Sequence, residues 1–150
     1  MTAASAQSIA LGKSFSLAEE EFMKARDLGA ENIAFEDALY PARLKEIYDP
    51  PLALYVRGNA ELLAAPALGV VGTRHPTPYG MGMAERLSND LASRGLVIVS
   101  GMTRGVDIHA HRGVLNGKGK PVAVWGRELM SHTHATISEL RTRSLLPEER

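Results

Sequence analysis

The chain has 150 residues, 45% of them apolar, no cysteine and a formal net charge of zero. That length suits one principal domain with a real core, and the lack of cysteine excludes a disulfide framework and thiolate metal sites. No run of about 18 or more apolar residues occurs and the first 15 lack the pattern of a secretory signal, so the chain reads as soluble and cytoplasmic, without a membrane partner.

In chain order, residues 1–15 read as a frayed N-terminus. Ser16 followed by Glu19 forms a capping-box pattern that predicts a helix running to Arg26, with Gly29 placed as its left-handed C-terminal cap. From Ala30 to Pro51 no period holds, and Tyr40-Pro41 and Asp49-Pro50-Pro51 mark turns. LALYV (52–56), ahead of Arg57-Gly58-Asn59, reads as a strand leading into a main sheet. Residues 16–66 are thus expected to be a helical segment and a connecting strand.

After Pro66 the pattern sharpens into strand, helix, strand, helix, strand: ALGVV (67–71), residues 81–95, LVIVS (96–100), residues 107–116 and PVAVW (121–125). Met83, Leu87 and Leu91 recur at four-residue spacing as the apolar stripe of the first helix, which Gly95 ends. The short Val-rich runs suit parallel strands covered on both faces by crossover helices. The expected fold class is α/β, a partial Rossmann-like parallel sheet over residues 67–126, with 127–150 left as an unassigned tail.

Charge is unevenly spread along the chain. Residues 1–66 carry six basic against ten acidic side chains, whereas 67–126 carry seven against three. An anionic partner is expected to meet the second segment, although two oppositely charged segments that merely face solvent would look the same.

In a parallel sheet of this kind ligands gather beyond the carboxyl ends of the strands. Two loops leave that edge: Gly72-Thr73-Arg74, and Ser100-Gly101-Met102-Thr103-Arg104-Gly105. Glycine lets backbone N–H groups approach an anion, the hydroxyls of Thr73 and Ser100 can donate, and Arg74 or Arg104 can fork onto phosphate oxygens. Together they form a candidate phosphate cradle. Tyr79, in the proline loop, is the aromatic placed to stack on a base, with packing against its own loop as the competing reading.

Other constellations are set aside. Gly80-Met81-Gly82 begins like a dinucleotide fingerprint, but Glu85 stands where the third glycine belongs, so a nicotinamide cofactor is not expected. Lys118 and Lys120 read as a solvated turn. Asp107 is expected to cap the second helix and His111 to pack at the edge of the core, with His109 pointing elsewhere. His132 and His134 read as surface residues. No metal, cofactor or catalysis is predicted, because three ligands do not share a face and no nucleophile stands beside a base.

GVVGTRHPTPYG, VSGMTRGVDIHAHRGVL and GKPVAVWG, with the upstream YPARLKEIYDPPLALYVRGN, resemble the DNA-processing protein A (DprA, also Smf) family of bacteria. The likeness runs from about Ser16 to Gly126 and involves several separated motifs in order. It implies an extended Rossmann fold that binds single-stranded DNA and delivers it to the RecA recombinase in natural transformation. It also implies that Gly72, Thr73 and Arg74 supply the DNA pocket, with Ser100, Gly101 and Gly105 lining the neighbouring loop.

Family members continue past the third strand into further strands and helices that carry basic DNA contacts and the surfaces for self-association and RecA, whereas residues 127–150 match nothing of that kind. The chain is therefore expected to be a truncated version with an unpaired sheet edge, in which a homodimer is in doubt. Two alternatives stay open: a related nucleotide-hydrolysing Rossmann enzyme, whose glycine-rich PGG and downstream glutamate are missing here, and a fragment without function of its own.

Overall fold

A computed structural model describes residues 12–125, which divide between Leu63 and Ala64 into two compact units. The expectations for residues 127–150, His132 and His134 lie outside the described residues.

The first unit holds helix α1 (Lys13–Asp27), strand β1 (Ala30–Ala34), a short helix α2 (Ala42–Lys45), strand β2 (Ala53–Arg57) and a 3-10 turn at Ala60–Ala64. α1 begins at Lys13, with Gly12 at the N-cap position, upstream of the expected capping box, so Ser16 lies inside the helix and does not cap it. The run of Leu, Ala, Glu, Met and Lys after Ser16 favours helix, and the helix extends upstream of it. Its end falls where expected, with Gly29 at φ +69° and its N–H on the Arg26 carbonyl at 2.9 Å.

Residues 30–51 are not irregular throughout. β1 pairs antiparallel with β2, Ile33 opposite Leu54, in a two-stranded sheet of their own, so β2 does not lead into the main sheet. Ile33, Tyr40 and Ala60 form a small core, lined by Phe35, Leu44, Leu54, Val56 and Leu63. The Tyr40 hydroxyl donates to the Pro51 carbonyl at 2.7 Å, which ties the proline turn to this core. β1 escapes the sequence pattern because only Ile33 in AENIA is strongly apolar and fully buried.

The second unit is the parallel α/β layer. Strands β3 (Ala67–Gly69), β4 (Val97–Ser100) and β5 (Pro121–Ala123) lie in that order, all parallel, joined by helices α3 (Pro78–Ala92) and α4 (Val106–Asn116). α3 starts three residues before the expected Met81, because Pro78 is pre-set for the first helical position and the Thr77 hydroxyl accepts from Gly80 N–H at 3.2 Å.

Two expectations fail in this unit. α3 and α4 pack against each other as well as against β4, so they share one face of the sheet and do not cover both. The buried stripe of α3 is Ala84, Ser88 and Ala92, one residue on from the expected leucines, and Leu87 is half exposed. Size decides this: a Cβ at Gly113 of α4 would run into the backbone of Glu85, so the helices touch almost backbone to backbone and only small side chains fit between them. Ile98 and Val114, both fully buried, complete the core with Ala92, Val70 and Leu91.

Candidate nucleic-acid interface

The two loops expected to form a cradle do meet at the carboxyl rim of the sheet. Val106 N–H, at the start of α4, donates to the Thr73 carbonyl at 3.2 Å. Gly105 lies against the backbone of Thr73 and Arg74 in space where no Cβ would fit, and at φ +94° it holds a backbone shape that side chains rarely allow. Gly72 faces Val106 so closely that a Cβ would come within 2.5 Å of its methyl carbon. Glycine at 72 and 105 therefore lets one loop nest into the other.

Nesting has an electrostatic consequence. In a planar trans peptide the carbonyl of one residue points opposite to the N–H of the next. The Thr73 carbonyl is drawn onto α4, so the Arg74 N–H faces away from that helix. His111 does the same one loop over: its Nε2 lies 2.8 Å from the Gly101 carbonyl, which turns the Met102 N–H the other way. Among the described residues, the backbone N–H groups of Gly72, Thr73, Arg74, Gly101, Met102, Arg104 and Gly105 make no hydrogen bond. Unpaired amides on successive loop residues are donors of the kind that can hold an anion.

Two cationic side chains belong to the same loops. Arg74 and Arg104 are exposed, and neither guanidinium group has an ion pair or hydrogen bond among the described residues. The three acids described in this unit do not answer them. Asp107 is buried, Glu85 pairs with Asn116 at 2.9 Å and approaches His109 at 3.6 Å, and Asp90 lies in α3, where Arg94 bonds its backbone carbonyl. Tyr79 is 76% exposed and pairs with no other aromatic ring among the described residues, so most of its surface faces solvent.

Three side chains do something other than expected. The Ser100 hydroxyl donates to the Val70 carbonyl at 2.6 Å and is buried, so it ties β4 to the end of β3 and is not available to a ligand. Asp107 is not the cap of α4, a place taken by Gly105. Its carboxylate reaches back to accept from the Thr103 hydroxyl at 2.6 Å and the Thr103 N–H at 3.3 Å. His111 is fully enclosed instead of resting at the core's edge; burial pulls its pKa below the usual 6.5 against the opposing pull of the Gly101 carbonyl and Asp107. Thr73 keeps its proton for donation, since its Oγ1 serves as acceptor for His75 N–H at 3.2 Å.

The motifs set aside form no phosphate loop. Gly80 and Gly82 are within α3, and Lys118 and Lys120 are exposed in the turn before β5, at the amino end of the sheet. No helix among the described residues is long and apolar enough to cross a membrane.

Comparison with known proteins agrees with this architecture. The family described as DNA recombination-mediator protein A matches residues 31–145. The DNA processing protein DprA of Bacillus subtilis is 38% identical over 100 residues, covering 66% of this chain and 34% of that protein. The X-ray structure of DNA processing protein A from Streptococcus pneumoniae superposes with a TM-score of 0.60 at 39% identity, over 63% of this chain and 33% of that one. DNA processing protein A from Helicobacter pylori, whose structure was described for its single-stranded DNA binding mode, superposes with a TM-score of 0.55 at 33% identity, over 69% and 47% of the two chains. The chain spans about a third of the length of the curated relatives it matches.

Proposed function

Because this chain belongs to the DNA recombination-mediator protein A family, we propose that its second unit binds single-stranded DNA along the rim built by Gly72, Thr73, Arg74, Gly101, Arg104 and Gly105, with Ser100 as a tie behind it. The observation that carries the reading is the nested pair of loops with unpaired amides beside two unpaired arginines. Backbone N–H groups and guanidinium groups grip phosphate oxygens without reading base edges, so binding is expected to be independent of sequence. The single-stranded DNA binding named for the Helicobacter pylori relative supports the choice of ligand.

No chemical step is assigned to the chain. Asp107 and His111, its most enclosed ionisable pair among the described residues, are both engaged with the loop. A place in natural transformation, delivery of the strand to RecA, action in the cytoplasm and self-association follow from the family resemblance and form part of the same proposal.

The test is direct binding of labelled oligonucleotides to the full chain. Single-stranded DNA is expected to bind more tightly than a duplex of the same sequence or a mononucleotide. Equal or better binding of the duplex would reject the reading.

A further inference from the structure

We propose that His111 and Asp107 are positioning residues that set the backbone donors of the 101–105 loop against the DNA phosphate, an inference that rests on the single-stranded DNA reading of the rim. The two side chains stand one turn apart on α4 and grip one loop at two points. His111 holds the Gly101 carbonyl, and Asp107 holds the Thr103 amide and hydroxyl. Gly101 has no side chain because the Asp107 carboxylate occupies that space, 2.6 Å from where a Cβ would be.

Each grip has a defined effect on direction. Fixing the Gly101 carbonyl toward α4 points the Met102 N–H away from it. Holding the Thr103 N–H inward removes that amide from the rim, and leaves the Met102, Arg104 and Gly105 N–H groups on the unpaired side. A carbonyl can only accept, so the hydrogen of this bond is on His111 Nε2. The opposite nitrogen, Nδ1, is buried without a partner among the described residues, which is expensive for a residue with a purely space-filling role. An aliphatic side chain would fill the space at lower cost but would release the peptide.

The experiment compares His111→Leu, His111→Gln, Thr103→Val and Arg74→Ala in the full chain. Its readouts are binding of a labelled oligothymidylate and the backbone amide resonances of Arg74 and Met102 as the oligonucleotide is added. Gln can place a donor where Nε2 lies, so it is expected to bind within about threefold of the parent while Leu loses about tenfold. Thr103→Val removes one hydrogen bond from the buried Asp107 carboxylate while keeping the shape of the side chain, and is expected to weaken binding severalfold in protein that still melts cooperatively. In the parent both amides should move on binding, and in His111→Leu the Met102 response should vanish while that of Arg74 persists. Leu and Val variants that melt cooperatively, bind as the parent does and show an unchanged Met102 response would overturn the positioning role while Arg74→Ala still weakens binding. Loss of any effect from Arg74→Ala would instead overturn the DNA reading and this inference with it.

Discussion

The Val106 N–H donates to the Thr73 carbonyl at 3.2 Å, and through that one bond the loop after β3 is joined to the first turn of α4. The two crossover units of the sheet thereby share a single rim. Anything that separates Thr73 from Val106 is expected to open the site before it unfolds the core.

Gly105→Ala tests that coupling. The new methyl would collide with the Thr73 carbonyl, and φ +94° would be strained for alanine, at a cost of about 1–3 kcal/mol. Urea unfolding should show lower stability, and oligonucleotide binding should fall by more than the lost fraction of folded protein explains. Unchanged binding would mean that the loops act separately.

Tyr79 is expected to contribute by stacking. At 76% exposure it carries little of the fold, so Tyr79→Ala should leave the melting temperature within about a degree or two. The same change should cost about 1–3 kcal/mol of oligonucleotide affinity, while Tyr79→Phe keeps the ring and most of the binding. Equal affinity for the alanine variant would remove Tyr79 from the interface.

Stability should depend on pH through His111. Its folded pKa lies below the usual 6.5 because burial disfavours the charged ring, while the Gly101 carbonyl and Asp107, on the same helix, pull the other way. As pH drops below about 6.5 the unfolded chain takes up a proton that the folded chain resists, so stability falls with acidification and is flat with respect to this group above that pH. Denaturant midpoints measured between about pH 8 and pH 5 should show a smaller decline in His111→Gln than in the parent.

Ile98, at 0% exposure on the central strand, tests the core under the rim. Ile98→Ala should cost about 2–5 kcal/mol by urea unfolding. A cost below about 1 kcal/mol would mean that β4 is not the buried centre of this unit.

The succession of three parallel strands along the chain, and the two loops beyond them, was legible from short Val-rich runs separated by helical stretches, although only β4 is buried as such runs suggest, and β3 and β5 stop two residues short of theirs. Residues whose role depends on a distant partner were not. Ser100 reads as a donor at a strand end, and only the position of the Val70 carbonyl reveals that its proton is already used. Asp107 carries the composition of a helix cap, yet the glycine before α4 takes that place and frees the carboxylate for Thr103. Leu87 outranks Ser88 in hydrophobicity, but the close approach of Gly113 to the Glu85 backbone selects the smaller residue. The glycines signalled that amides could approach an anion, but not which amides are left unpaired. The unpaired ones follow from which carbonyls α4 captures.

The most direct test is a salt titration of oligothymidylate binding to the full chain, comparing the parent with Arg74→Ala and Arg104→Ala. Each substitution should weaken binding and lower the magnitude of the slope of log K against log salt by about 0.7, the loss of one phosphate contact on a single strand. Affinity and slope that match the parent in both variants would contradict a phosphate-gripping rim.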